Sequence, residues 1–446
     1  MGRRRAAPVG VRAAQDREIL RLAVPAFLAL VAEPLFLLSD AAIIGHLGTP
    51  ELAGLGIAGA VVQTAVGLCI FLAYGTTASV ARRIGAGDAR GALAEGIDGI
   101  WLAVLIGVPT SVVGVASTRW LVSLFGPDPV VADYASTYLR LAFLGVTPLL
   151  VMLAATGVLR GLQDTRTPLI VAVGGNVANI VLNLVLVYGL DLGIAGSAIG
   201  TDIAQLGSAA ALVTVVVRGA RREGASLRPD LPGVRRAAHA GVALVIRTVT
   251  LRASLLVMTY GAVTLGATAT ATQQVAMTLW TFLAFTLDAI AIAAQAITGR
   301  FLGAGDLELT RQVTERMVRW GLVSGVATGI GLAAAAPFLG PLFSSDPAVH
   351  DLLVPVLLVA AVFQPVAGVV FVLDGVLIGA GDGRYLAWAG AAVLAAFTPL
   401  AWLSVILPDH DAMLWLWAAF GAGFIGTRAV VLVRRSRGDV WMVPGA

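Results

Sequence analysis

Long apolar runs rich in Ala, Leu, Val and Gly alternate with short polar breaks along the whole chain. A helix needs roughly 20 such residues to cross a hydrocarbon core. Read against their breaks, the runs predict twelve spans, near 18–44, 53–80, 92–116, 133–158, 167–190, 193–217, 238–265, 269–298, 312–338, 350–378, 385–407 and 413–433. The runs are continuous and do not alternate residue by residue, so helices are expected and a barrel is not. The predicted fold is an all-α polytopic membrane protein.

Composition agrees: 58% of the 446 residues are hydrophobic and only 13% are charged. All 30 basic residues are arginine, and their position matters more than the net charge of +4. Arg3, Arg4, Arg5, Arg12 and Arg17 precede the first span, and Arg82, Arg83 and Arg90 follow the second. Arg160 and Arg166 follow the fourth, a cluster from Arg218 to Arg236 follows the sixth, and Arg434, Arg435 and Arg437 follow the last. The opposite loops hold Arg119 and acidic residues such as Asp409 and Asp411. By the positive-inside rule both termini are expected in the cytoplasm, with the chain multi-pass in the plasma (inner) membrane and its basic N-terminal arm uncleaved. The single cysteine, Cys69, allows no disulfide within the chain, and the four scattered histidines offer no ligand spacing for a metal.

The chain also repeats. ARRIGAGD begins at Ala81 and TGRFLGAGD at Thr298, so Arg82 falls on Arg300 and Asp88 on Asp306, an offset of 218. The same offset carries Gly161, Asp164 and Arg166 of RGLQDTRTP onto Gly379, Asp382 and Arg384, and Leu47 and Gly48 onto Leu265 and Gly266. One register shared by three places implies two copies of a six-helix unit. They are placed at 1–217 and 238–446, joined by a basic cytoplasmic linker at 218–237. Six spans per copy keep both in one orientation, which predicts two six-helix bundles related by a pseudo-twofold axis along the membrane normal, with a pathway between the halves. The repeated GAGD reads as a helical hairpin: glycine ends one helix in left-handed geometry and aspartate caps the next.

Charge in lipid is costly, so ionisable residues inside a span face a cavity or a partner. Glu33 and Asp40 of EPLFLLSDAAIIGHLG are seven apart, on one helical face about 10.5 Å apart along the axis, and both can line one cavity. Pro25 and Pro34 each remove a helical hydrogen bond, so the helix can bend at its charged level. Either acid could instead pair with Arg140, Arg247 or Arg252. A carboxylate in a poorly hydrated cavity can bind or release a proton as the cavity opens to either side, which makes a coupling site. The fifth span adds Asn176, Asn179 and Asn183 as one polar stripe, which either packs against other helices or lines the cavity. Thr201, Asp202 and Gln205 extend the polar set in the sixth. In the second copy Met258, Phe397 and Ala401 stand where Asp40, Asn179 and Asn183 would be. That copy keeps Gln273, Gln274, Asp288, Gln295 and Asp374 as candidate substrate contacts or helix-packing groups.

Taken in order, EPLFLLSDAAIIGHLGTPELAGLGIAG, RRIGAGD, RGLQDTRTP and DGVLIGAGD resemble the multidrug and toxic compound extrusion (MATE) transporters, in particular their DinF-like branch. The resemblance implies alternating access and export of small organic, often cationic or drug-like, compounds in exchange for H+ or Na+. Asp40 matches a first-helix aspartate that carries the coupling ion in prokaryotic relatives, with Asn179 and Asn183 as neighbours; any Na+ would sit at Asp40. One departure stands out: Asn183 occupies a fifth-helix position commonly held by aspartate, and Asp202 is a candidate to compensate. Glu33, Pro34, Asn176, Thr201, Gln205, Gln274, Asp288 and Asp374 are the candidates for helix bending and substrate contact. No cofactor beyond the coupling ion is expected, the partners are the bilayer and a small-molecule substrate, with no nucleic acid, and the chain is expected to act as a monomer. A flippase for lipid-linked precursors would want a more cationic cavity. A membrane enzyme would need a catalytic cluster that the chain does not show.

Overall fold

The computed structural model describes residues 9–406 and 411–445. The arginines at 3, 4 and 5, and Asp409 and His410, lie outside them. Twelve helical stretches among the described residues are long and apolar enough to cross a membrane.

The chain packs into two compact units. One, residues 28–242, takes the later part of α1 (Val9–Gly45), then α2 (Thr49–Leu68), α3 (Phe71–Gly85), α4 (Ala89–Ser123), α5 (Pro129–Gly161), α6 (Arg166–Asn183), α7 (Gly193–Arg222) and the start of α8 (Leu231–Thr264). Here α5 is the hub, touching α2, α3, α4 and α7, and α6 packs on α7. The other unit takes the rest of α8, then α9 (Ala267–Gly303), α10 (Leu307–Phe343), α11 (Pro347–Gly379), α12 (Gly383–Ile406), α13 (Ala412–Ala419) and α14 (Thr427–Arg437), together with α1 through Phe27. Its hub is α11, against α9, α10, α13 and α14.

The 218-residue repeat recurs in the element boundaries: α3 ends at Gly85 and α9 at Gly303, while the two hubs run from Pro129 to Gly161 and from Pro347 to Gly379. The GAGD hairpin forms as its residues require. Gly87 and Gly305 take φ of 79° and 74°, and Asp88 and Asp306 accept the backbone N–H of Gly91 and Leu309 at 2.7 and 2.9 Å. The Gly91 N–H and the Arg83 guanidinium hold the Asp88 carboxyl below the usual carboxylate range, so this cap persists at neutral pH and is lost only in acid.

The first helix of each copy starts in the unit formed mainly by the other copy. In α1, Asp16 accepts from Arg316 Nε at 2.6 Å and Trp320 Nε1 at 2.8 Å, and Glu18 pairs with Arg300 at 2.7 Å. At the start of α8, the Asp230 N–H donates to Asp98 Oδ1 at 2.8 Å. Asp98 and Arg316 are themselves 218 residues apart, so equivalent positions on α4 and α10 hold the two helix starts with opposite charge. Most of the expected linker is helical, only 223–230 lying between α7 and α8.

Three spans depart from straight α-helix. The second span is two helices, α2 and α3, broken at Cys69 and Ile70. Wider π turns occupy Leu184–Gly189 after α6 and Phe420–Gly426 between α13 and α14. Hydropathy does not register such breaks, because the residues in them are as apolar as their neighbours.

Candidate functional site

Several polar residues of the 28–242 unit gather around Asp40, which is 3% exposed. Asp40 Oδ1 accepts from Asn183 Nδ2 at 2.8 Å and from Ser197 Oγ at 2.5 Å, and Oδ2 accepts from the Tyr138 hydroxyl at 3.2 Å. Asn183 Nδ2 also approaches Asn179 Oδ1 at 3.1 Å, and Asn179 Nδ2 donates to Thr201 Oγ1 at 2.9 Å. Four helices therefore meet at one carboxylate: α1 brings Asp40, α5 Tyr138, α6 Asn179 and Asn183, and α7 Ser197 and Thr201. All of these donors are neutral. Arg140 and Arg252 are exposed, and Arg247 lies against Asp374, so none of the arginines weighed in the sequence pairs with Asp40.

Local sequence explains the convergence. Asn179 and Asn183 are four apart on α6, and Ser197 and Thr201 are four apart on α7, so each pair shares a helix face. Gly200 lets the facing helices close, because a Cβ there would collide with Asn183 Oδ1. That oxygen is buried and accepts no hydrogen bond among the described residues. Asn183 is also the last residue before the π turn of Leu184–Gly189, where Tyr188 donates to the Ile43 carbonyl at 2.6 Å and ties the turn to α1. π turns are often found at functional sites because they re-aim the side chains beside them.

The asparagine stripe divides its work. Asn176 donates to the Ala32 carbonyl at 2.8 Å and packs α6 on α1, whereas Asn179 and Asn183 enter the Asp40 network. Pro34 is half-buried within an unbroken α1. Glu33 shares a helix face with Asp40 but not its surroundings: it is exposed and makes no hydrogen bond or ion pair among the described residues. Asp202 directly follows Thr201 on α7 and Gln205 lies a turn beyond it, both half-buried, with Asp202 Oδ1 accepting no hydrogen bond. Tyr138 and Ser197 were not singled out in the sequence. Ser197 could have been found from its four-residue spacing to Thr201; Tyr138 gives no such signal in the apolar run of α5.

In the other unit the candidates do not assemble around one point. Gln274 is exposed and Asp288 half-buried on α9. Asp374, a candidate for substrate contact or helix packing, is 8% exposed and held by arginine: Arg247 Nε donates to Oδ1 at 3.2 Å, Arg247 Nη2 to Oδ2, and Arg428 Nη2 stands 3.7 Å from Oδ2. Arg428 lies over the rings of Phe371 and Phe424. No group of three or more His, Cys, Asp or Glu that could hold a metal occurs among the described residues.

Known proteins share this arrangement of helices. The MatE family model matches residues 25–185 and again 243–403, the same 218-residue offset. The chain is 31% identical over 440 residues to protein DETOXIFICATION 44, chloroplastic, of Arabidopsis thaliana, covering 92% of this chain and 82% of that one. It is 28% identical over 438 residues to DNA damage-inducible protein F of Escherichia coli, covering 96% and 94%. Among solved structures, the Vibrio cholerae MATE transporter VcmN in its bent form superposes with a TM-score of 0.88 at 20% identity, over 97% of this chain and 99% of that one. A MOP superfamily transporter from Pyrococcus furiosus gives 0.85 at 20% identity, over 97% and 98%.

Proposed function

Since the chain belongs to the MatE family of membrane transporters, and is no enzyme, we propose that it is a secondary active antiporter. It exports small organic, cationic or drug-like compounds in exchange for H+ or Na+, by alternating access across the plasma membrane, with both termini in the cytoplasm. The observation that carries this reading is Asp40, a carboxylate 3% exposed and served only by neutral donors. A carboxylate paired with arginine is neutralised permanently; one held by an amide and two hydroxyls is neutralised only when an ion arrives.

Binding at Asp40 removes a charge from the centre of a helix bundle, so the loaded and empty states differ in electrostatic energy and can favour different helix packings. Asn183 is built to serve both states. Its Nδ2 donates to the anion, and rotation of the amide would present Oδ1 to a protonated Asp40 or to Na+. Burial of Asp40 against α5, α6 and α7 couples that local exchange to α1. Proline at positions 25 and 34, and the π turn beside Asn183, are where the surrounding helices can yield.

Everted membrane vesicles provide the test, with ethidium as the probe and proton and sodium gradients imposed separately. Asp40→Asn should abolish gradient-driven ethidium uptake while leaving the protein in the membrane at normal abundance. Normal uptake by this variant under either gradient would overturn the proposal. The gradient that drives the unaltered chain identifies the ion.

A further inference from the structure

Asp202 is a second acid in the same unit, one residue beyond Thr201, and the Asp40 network does not use it. Its Oδ1 is buried and receives no hydrogen bond, and it makes no ion pair among the described residues. With Gln205 presenting Oε1 over Gly145, an ionised carboxylate leaves Asp202 Oδ1 with no donor, an arrangement that folded proteins avoid. A neutral acid reverses the requirement, since an O–H at Oδ1 needs an acceptor.

The surroundings supply one. Asp202 and Gln205, three residues apart on α7, both reach over Gly145 of α5. A Cβ at Gly145 would collide with Asp202 Oδ1 and would lie 2.7 Å from Gln205 Oε1. The missing side chain of Gly145 thus opens a recess into which both oxygens point. Of the elements packed against α7, α5 carries Tyr138 two turns before Gly145 and the exposed Arg140, α6 carries Arg166 at its start and otherwise the neutral amides of Asn176, Asn179 and Asn183, and the π turn after α6 carries Tyr188. On α4 no charged residue lies between Asp98 and Arg119. Asp40 on α1 is the other titratable group of the network, reached from Thr201 through Asn179 and Asn183.

We infer that Asp202 is a second proton-carrying carboxylate, held in its neutral form by Gln205 over Gly145, so that each transport cycle loads and unloads two acids of the unit, Asp40 and Asp202. Asn183 cannot titrate, and Asp202 restores the second proton from the neighbouring helix. The inference rests on the antiport reading above in its proton-driven form. The proton leaving Asp202 passes to water on the side to which the unit opens, and the carboxylate left behind is the state that must be refilled before the next cycle.

Infrared difference spectroscopy on the purified full-length chain counts the acids directly, without a substrate. Among the carboxylic-acid C=O bands that disappear across a pH titration of the unaltered protein, two should belong to Asp40 and Asp202. Asp202→Asn should lose one band and keep the other, and Asp40→Asn should do the converse. Gln205→Leu should shift the Asp202 band to higher frequency without removing it, a change that a misfolded variant would not give. In vesicles, Asp202→Asn should still take up ethidium, with half the protons counted per ethidium, and Asp202→Glu should restore the full count. A spectrum of Asp202→Asn with both bands present, or an unchanged proton count, overturns this inference. Undiminished ethidium uptake by Asp40→Asn overturns the antiport reading instead, so the two failures are distinguishable.

Discussion

At residue scale the two units treat a buried aspartate in opposite ways. Asp40 meets an amide and two hydroxyls, whereas Asp374 meets Arg247 and Arg428 with side chains 8 to 11% exposed. Removing one member of a buried ion pair costs about 3–5 kcal/mol because its partner stays buried and charged. Asp374→Leu takes the shared carboxylate away from two buried guanidinium groups and is expected to lower thermal stability in detergent. Asp40→Asn removes a charge that has no cationic partner and should leave the melting temperature close to that of the unaltered protein. Size-exclusion thermal-stability measurements on both variants check the contrast, and equal losses would contradict it.

Element scale is where the repeat acts on the backbone. Gly381 has φ of 75°, and at the equivalent position of the first copy Gln163 adopts φ of 62°. A side chain in the left-handed region costs roughly 1 kcal/mol that glycine avoids. Gln163→Gly should therefore raise the stability of the α5–α6 turn, seen as slower hydrogen exchange at Leu162 to Arg166. The helix starts invite a second measurement. Asp16 and Arg316 have side chains 25% and 27% exposed and form two hydrogen bonds, with Trp320 adding a third to the same carboxylate. A double-mutant cycle with Asp16→Asn and Arg316→Gln should give a coupling above about 1 kcal/mol, the usual ceiling for exposed pairs. A smaller value would show that this pair is worth no more than an exposed one.

For the whole molecule, the two copies share a frame and not a chemistry. The hubs α5 and α11, the caps at Asp88 and Asp306 and the left-handed glycines recur at one offset. Met258, Val356, Phe397 and Ala401 stand at the positions of Asp40, Tyr138, Asn179 and Asn183, all of them at most 2% exposed. Met258→Asp thus places a carboxylate where no donor waits, and it should destabilise the protein without creating a second ion site. A thermal shift assay with and without sodium checks this: sodium-dependent stabilisation appearing only in the variant would refute it.

Much of this was legible in the chain. Span number follows from the length of hydrocarbon a helix must cross, the hairpins from the backbone needs of Gly and Asp, and the repeat from residue identity at one offset. Helical spacing brought the Asn179–Asn183 pair onto one face and marked Asp40 as an acid needing a partner. Which partner it found was decided only by tertiary structure. Glu33 and Asp40 share a face of α1, yet helix periodicity fixes direction around one axis and says nothing about what stands opposite; α5, α6 and α7 close over Asp40, and Glu33 is left exposed. Arg247 could have served either acid by sequence alone, and the fold gives it to Asp374. Tyr138, the recess at Gly145 and the π turn after Asn183 belong to the same class. They depend on side chains from separate helices meeting at one depth, a relation between distant parts of the chain that no local pattern encodes.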